Sequence, residues 1–86
     1  MFIDVHCHLD SRFYNAEEIE KVVERAKKAG VGIVVASGIG SGENKEVLRL
    51  VSEYNIVKGA LGMHPTEKLD EWKGEIEFTR KNKDKI

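Results

Sequence analysis

Two histidines separated by one residue stand in the part of this sequence that is best suited to chemistry. The run DVHCH at residues 4–8 lies in an apolar stretch that favours a β-strand. Side chains two residues apart on a strand point to the same side, so the imidazoles of His6 and His8 can converge on one cation. Neutral imidazoles are typical ligands of zinc, manganese and similar ions. The spacing therefore predicts a metal site on one face of the first strand.

Two carboxylates flank this histidine pair. Asp4 falls on the same predicted strand face as the histidines, and Asp10 follows at the end of the strand. A metal-bound imidazole usually donates its second ring N–H to a carboxylate, a carbonyl or water. We therefore predict that Asp4 orients a histidine, and that Asp10 does the same or holds cation-bound water.

The plainer interpretation of the histidine pair is a polar strand face in contact with water, and it is the better one for a bare His-x-His. Two features favour a metal instead. The opposite face of the strand is apolar at every position, namely Ile3, Val5, Cys7 and Leu9. The next predicted strand is apolar on both faces, which indicates a sheet covered on both sides, where polar histidines need partners.

A third histidine follows the third predicted strand. His64 comes two residues after Gly62, which lets the backbone bend, and directly before the single proline of the chain, which fixes the direction of exit. His64 is expected at the same sheet edge as His6 and His8, where its imidazole can contact a phosphate or donate a proton. The alternative is an incidental histidine in a structural turn.

Alternating strands and helices must position these histidines. Apolar runs and helical periodicity predict strands over residues 2–9, 31–36 and 56–62 and helices over residues 16–29 and 43–54. Asn15 and Glu18 form a predicted capping box, and Gly30 ends the first helix. Further helix is expected over residues 67–72 and 75–83 with an interruption at Gly74, and a fourth strand is expected to open at residues 85–86. The glycine-rich residues 38–42 lack the spacing of a phosphate-binding loop and predict a flexible connection.

This order of elements predicts an α/β fold with a parallel sheet and right-handed crossovers. The 86 residues allow one small domain, and 41% hydrophobic with 34% charged residues is a globular composition. A net charge of -1 gives no global attraction to nucleic acid or membranes, and no signal peptide or membrane span is evident. The lone Cys7 excludes an intramolecular disulfide. We expect a cytoplasmic protein that does not associate with membranes.

The two histidine motifs together resemble those of a known family. The segment FIDVHCHLD at residues 2–10 is similar to the opening of the TatD family of metal-dependent deoxyribonucleases, within the amidohydrolase superfamily. The segment GMHP at residues 62–65 resembles the G-x-H-P motif of that family. The resemblance implies the first part of a TIM (βα)₈ barrel, with three βα units in one truncated, open domain over residues 1–86 that stops where a fourth strand begins.

By this resemblance, His6 and His8 are metal ligands for one or two divalent ions (Mg²⁺, Mn²⁺ or Zn²⁺), and His64 faces a substrate phosphate. The implied reaction is hydrolysis of DNA phosphodiester bonds, with removal of nucleotides from a 3′ end. The remaining ligands of the family are a glutamate, two histidines and an aspartate on later strands, and these 86 residues hold none of them. We therefore expect the chain alone to be inactive.

Two other functions remain open from the residues. Another amidohydrolase can use the same histidine pair on an amide or an ester. A small α/β module can also bind a metal or a partner without catalysis. An open parallel sheet has unpaired edges, so we expect self-association or pairing with a segment that completes the barrel.

Overall fold

A parallel sheet with the strand order β1-β2-β3 forms the centre of the computed structural model, which describes residues 1–66 and 69–86. The strands are β1 (Phe2–Cys7), β2 (Val31–Ser37) and β3 (Val57–Ala60). The helices are α1 (Ala16–Lys28), α2 (Ser41–Glu53) and α3 (Trp72–Lys81), with 3₁₀ turns at Leu69–Glu71 and Lys83–Lys85. The predicted α/β class, with an open and incomplete parallel sheet, is confirmed.

Local signals set the ends of α1 as the sequence predicts. The Asn15 side chain accepts a hydrogen bond from the Glu18 backbone N–H at 2.8 Å, and the Glu18 carboxylate accepts from the Asn15 N–H at 3.1 Å. This reciprocal capping box satisfies two of the N–H groups that a helix start leaves open. Gly30 follows the helix with a φ of 89°, a left-handed conformation that favours glycine.

The hydrophobic core lies between the sheet and the helices α1 and α2. Its buried members are Leu9, Ile19, Val23, Val34, Ala36, Val47, Leu50 and Val57. On α2, Val47 and Leu50 are buried, whereas Leu48 and Val51 are half-buried. The buried face of α2 therefore includes Leu50 and Asn44. Asn44 lies about one and a half turns before Leu50 and is also fully buried.

The predicted packing of β1 is wrong at two positions. Ile3 is 50% exposed and Val5 is 73% exposed, although both belong to the predicted apolar face. Between Asp4 and Cys7, two residues of β1 stand opposite one residue of β2, which is a bulge. The bulge breaks the strict alternation of faces, so that Cys7 and Leu9 pack against the core while Ile3 and Val5 do not.

The C-terminal part differs from the sequence prediction in two places. Helix α3 runs without interruption through Gly74, because one interior glycine costs a helix only about 1 kcal/mol and neighbouring residues outweigh it. The fourth strand expected at residues 85–86 is also wrong, since Lys83–Lys85 form a 3₁₀ turn directly after α3. The helix predicted over residues 67–72 falls partly on Glu67 and Lys68, which lie outside the described residues.

Two element boundaries also differ from the sequence prediction. Helix α2 begins at Ser41, two residues before the predicted start, so part of the glycine-rich stretch is helical. Strand β3 ends at Ala60, and the predicted last residues of this strand continue as irregular backbone. Within residues 1–66 and 69–86, no helix combines the length and the apolar character needed to cross a membrane.

Gly30 and Gly74 form a matched pair for testing this backbone. Gly30→Ala places a side chain at a φ of 89°, so we expect the free energy of unfolding to fall by about 1 kcal/mol. Gly74→Ala adds a methyl group with no atom within 4 Å inside a continuous helix, so we expect a gain of about 0.5–1 kcal/mol. Urea unfolding followed by circular dichroism measures both changes. A loss of stability in Gly74→Ala would contradict the continuous α3.

Candidate functional site

A pocket of about 380 Å³ lies at the carboxyl ends of the strands and brings together the three histidines of the chain. Parallel strands end at the same edge of a sheet, which is why residues more than fifty positions apart meet there. The lining residues that matter for the site are His6, His8, Ser37, Ile39, Gly62 and His64. The sequence prediction that His64 shares an edge with the histidine pair agrees with this placement.

The hydrogen-bond contacts of the His6 and His8 rings involve Nδ1 and leave Nε2 for a cation. Their ring centroids are 4.9 Å apart in an edge-to-face arrangement. The Nδ1 of His8 lies 3.0 Å from the carbonyl oxygen of Ser37, and a carbonyl only accepts, so this nitrogen carries the proton and donates. In neutral His8, the lone pair on Nε2 is then available to a metal. The Nδ1 of His6 lies 3.4 Å from the Ser37 hydroxyl oxygen.

The pair offers only part of a ligand set. Among the described residues, no group of three or more His, Cys, Asp or Glu side chains is placed to hold a metal ion. Catalytic zinc sites generally use three protein ligands and a water molecule. Two imidazoles with an assigned tautomer at His8 therefore fit a borderline divalent ion, but they fill about half of its coordination positions.

The His64 ring is fixed by its neighbour two residues on. The Thr66 backbone N–H donates to Nδ1 of His64 at 3.2 Å, and the Thr66 hydroxyl oxygen lies 2.7 Å from the same nitrogen. Because a backbone N–H can only donate, Nδ1 is the acceptor and the proton of the neutral ring is on Nε2. The His64 backbone N–H also donates to the Ile39 carbonyl at 2.8 Å. His64 is exposed and presents an Nε2–H donor of the kind that phosphate oxygens accept.

The two carboxylates predicted to orient the histidines make other contacts. Asp4 accepts a hydrogen bond from the backbone N–H of His6 at 3.1 Å. Asp10 is 3% exposed and pairs with Arg12, with Nε to Oδ1 at 2.6 Å and Nη2 to Oδ2 at 2.8 Å. The hydrogen bond from Arg12 is the main reason that the pKa of Asp10 is lowered, and the charge of His8 adds a smaller effect. None of these hydrogen bonds involves a histidine ring, and at His8 the orienting acceptor is the Ser37 carbonyl.

Sequence reasoning missed Ser37 and Asn44. Ser37 is the last residue of β2 and carries no signal beyond its position at a carboxyl end. Asn44 does carry one, because it lies three residues before Val47 on the buried stripe of α2. A polar residue at an apolar position of a helix indicates a buried hydrogen-bonding partner. That partner is Gly62, in the loop that leads to His64.

Cys7 adds no ligand to the pocket. The thiol is half-buried and donates to the Val35 carbonyl, with Sγ and O at 3.5 Å. Burial, with a smaller contribution from the Asp4 charge, raises the pKa of Cys7 to about 11. At neutral pH this cysteine is therefore a protonated, packed thiol, and it is a poor nucleophile and metal ligand.

The fold and the pocket define a class before any comparison. They describe a parallel α/β protein with imidazoles gathered at the carboxyl ends of neighbouring strands, where α/β enzymes generally carry their chemistry. The comparison with family profiles is more specific. The profile described as TatD related DNase matches residues 3–86, and the chain belongs to this family. The resemblance predicted from the two histidine motifs is thus confirmed.

Curated relatives agree with this assignment. The chain is 38% identical over 68 residues to "Deoxyribonuclease TATDN3" of Homo sapiens, covering 78% of this chain and 24% of the relative. It is 38% identical over 64 residues to "Uncharacterized metal-dependent hydrolase YjjV" of Escherichia coli (strain K12), covering 74% and 24%. It is 31% identical over 70 residues to "Uncharacterized metal-dependent hydrolase YabD" of Bacillus subtilis (strain 168), covering 81% and 27%. The chain spans about a quarter of the length of these relatives. No solved structure gives a significant match.

The Asp10–Arg12 pair predicts a pH-dependent stability. A lowered pKa means that ionised Asp10 stabilises the fold at pH values above its ordinary pKa of 3.8. This contribution is lost as the pH falls through the lowered pKa. We expect Asp10→Asn to reduce the free energy of unfolding by about 1–2 kcal/mol at neutral pH, with the difference shrinking in acid. Urea titrations across this pH range measure it.

Glu53→Gln is the control for this prediction. Glu53 pairs with Arg49 on the exposed face of α2, with Nη1 and Oε1 at 3.1 Å. Such surface pairs contribute little, so we expect a change below about 0.5 kcal/mol. An Asp10→Asn effect that is equally small, or that is the same at every pH, would contradict a stabilising Asp10–Arg12 pair.

Proposed function

We propose that this chain supplies the metal-binding and phosphate-contacting part of a hydrolase that cleaves DNA phosphodiester bonds. The observation that carries the proposal is that His6, His8 and His64 line one and the same pocket. Hydrogen bonds assign the tautomers of His8 and His64 there. Two different tautomers suit two different tasks. His8 keeps an unprotonated Nε2 for a cation, and His64 presents a protonated Nε2 to an anion.

A divalent ion is the cofactor that this proposal requires, and His6 and His8 are the residues that would hold it. The donor contact from His8 to the Ser37 carbonyl is the kind of support that metal-bound imidazoles commonly have. Two relatives, YabD and YjjV, are named as metal-dependent hydrolases. An imidazole pair favours Zn²⁺ or Mn²⁺ over Mg²⁺, which prefers oxygen ligands. One or two such ions, when bound, would supply an activated water and neutralise charge on phosphate oxygens.

DNA is the proposed substrate, and His64 is the residue that would contact its phosphate. The Nε2–H of His64 is a fixed donor, because the Thr66 N–H occupies Nδ1. The relative TATDN3 of Homo sapiens is named as a deoxyribonuclease. The net charge of -1 gives no general attraction to DNA, so recognition rests on the local ion and on His64. Removal of nucleotides from a 3′ end extends this proposal and rests on the family resemblance alone.

The 86-residue chain alone is proposed to be inactive. Two imidazoles leave about half of the coordination positions of a catalytic ion without a protein ligand, and the relatives are about four times longer than the matched region. The exposed residues of the edge strand β1, among them Phe2, Ile3 and Val5, provide an apolar surface on which further barrel segments or a second copy would pack. The single domain over residues 1–86 is accordingly proposed as one part of a larger barrel.

Metal content tests the proposed ligands. We expect the protein dialysed against Zn²⁺ and then against metal-free buffer to retain zinc, because both imidazoles contribute to one site. The double variant His6→Ala with His8→Ala is expected to retain none, and His64→Ala is the matched control that keeps the parental amount. Elemental analysis measures zinc per chain. Zinc at the parental ratio in the double variant would refute these ligands.

Nuclease assays test the proposed substrate and the inactivity of the chain alone. Loss of a residue that merely supports a metal ligand typically costs 10–100-fold. We therefore expect the purified chain to cleave end-labelled DNA at least about a hundredfold more slowly than a full-length family member. Addition of a polypeptide carrying the remaining barrel segments of such a relative should raise the rate, and His64→Ala should prevent the rise. Full activity of the chain alone after stringent purification would contradict the proposal.

A further inference from the structure

The fully buried side chain of Asn44 holds the loop that leads to His64. Its Nδ2 donates to the Gly62 carbonyl at 3.0 Å, and its Oδ1 accepts from the Gly62 N–H at 3.1 Å. Its second Nδ2 hydrogen goes to the Glu75 carboxylate of α3, with Nδ2 and Oε2 at 2.7 Å. Because Oδ1 faces a donor and Nδ2 faces two acceptors, these contacts fix the orientation of the amide.

Asn44 continues the pairing of β3 beyond its end. Strand β3 stops at Ala60, whose carbonyl accepts from the Gly38 N–H at 2.8 Å. Two residues later, the Asn44 amide pairs with both backbone groups of Gly62, as a neighbouring peptide group of a strand would. Two residues further, the His64 N–H donates to the Ile39 carbonyl at 2.8 Å. Three successive anchors therefore define the path of residues 60–64.

Gly38 is part of the same arrangement. A Cβ at this position would overlap Asn44 Oδ1 and come within 3.1 Å of its Cα. The φ of Gly38 is not positive, so close approach of Asn44, and no special backbone conformation, is the reason for glycine here. The glycine-rich stretch therefore provides space for the Asn44 side chain.

We propose that Asn44 is a positioning residue: through Gly62 it fixes the backbone path into the loop in which the Thr66 N–H reaches Nδ1 of His64, and Glu75 holds the amide from the opposite side. The inference rests on the proposed function for the role of His64 toward phosphate. An apolar residue at this position of α2 would add to the core without desolvating an amide. The buried amide instead fixes a loop that leads into the pocket, which core packing alone does not require.

Asn44→Asp tests the proposal with little change in size. The variant keeps an acceptor for the Gly62 N–H but places an oxygen against the Gly62 carbonyl and against the Glu75 carboxylate, so both contacts become repulsive at neutral pH. We expect His64 to lose its single Nε2–H tautomer, read from the ring ¹⁵N shifts. Its affinity for inorganic phosphate, followed at the same resonances, should fall about tenfold. Adding Glu75→Gln supplies an amide donor to the new carboxylate and should restore part of both.

Ser41→Ala is the matched control. The Ser41 hydroxyl donates to the Glu71 carboxylate at 3.1 Å and so links the first turn of α2 to the residue before α3. This link resembles the Asn44–Glu75 contact but touches neither Gly62 nor His64. We expect Ser41→Ala to keep the parental tautomer and phosphate affinity. A folded Asn44→Asp that keeps both as well would overturn the proposal.

A measurement on the parent chain covers the case in which Asn44→Asp does not fold. The Gly62 N–H bonds to Asn44 Oδ1, so its hydrogen exchange reports the contact directly. Exchange at least about tenfold slower than that of an open loop amide supports the proposal, and exchange at the open rate overturns it. If the parent binds no phosphate, the proposed function fails, whereas the tautomer and exchange readouts still decide whether Asn44 positions His64.

Discussion

The parallel pairing of β2 with both neighbouring strands is the interaction on which the site depends. This pairing brings the end of β2 and the residues that follow it between the two histidine-bearing segments. Ser37 contacts the rings of His6 and His8, and the Ile39 carbonyl accepts from the His64 backbone N–H. Three contiguous residues therefore set the relative positions of histidines that belong to different parts of the chain. A shift of one residue in this register would separate the proposed metal ligands from the proposed phosphate contact.

Polar groups buried near this edge are all paired. Among the described residues, no buried side-chain nitrogen or oxygen lacks a hydrogen-bond partner. Asp10 is held by Arg12, and Asn44 is held by Gly62 and Glu75. Because an unpaired buried polar group is costly, these contacts have few alternatives and keep the pocket rim in one arrangement. At His8 and His64 these hydrogen bonds engage Nδ1 and leave Nε2 for the proposed chemistry.

Local signals in the sequence were sufficient for much of this description. The strand and helix order, the Asn15 capping box and the meeting of three histidines at one edge follow from periodicity and from the geometry of parallel sheets. Tertiary effects account for the rest. A bulge exposes Val5, and continuous helix prevails over the weak preference of Gly74. The contacts of Ser37 and Asn44 depend on loop geometry between distant segments, which spacing along the chain does not encode.

The central claim is that His6 and His8 bind the metal while His64 faces the phosphate, and ring-nitrogen NMR tests it most directly. A histidine-labelled chain is titrated first with Zn²⁺ and then with inorganic phosphate. We predict that Zn²⁺ shifts Nε2 of His8 together with a ring nitrogen of His6, and that His64 responds only when phosphate is added. Zinc that shifts His64 while leaving His6 and His8 unchanged would contradict this assignment.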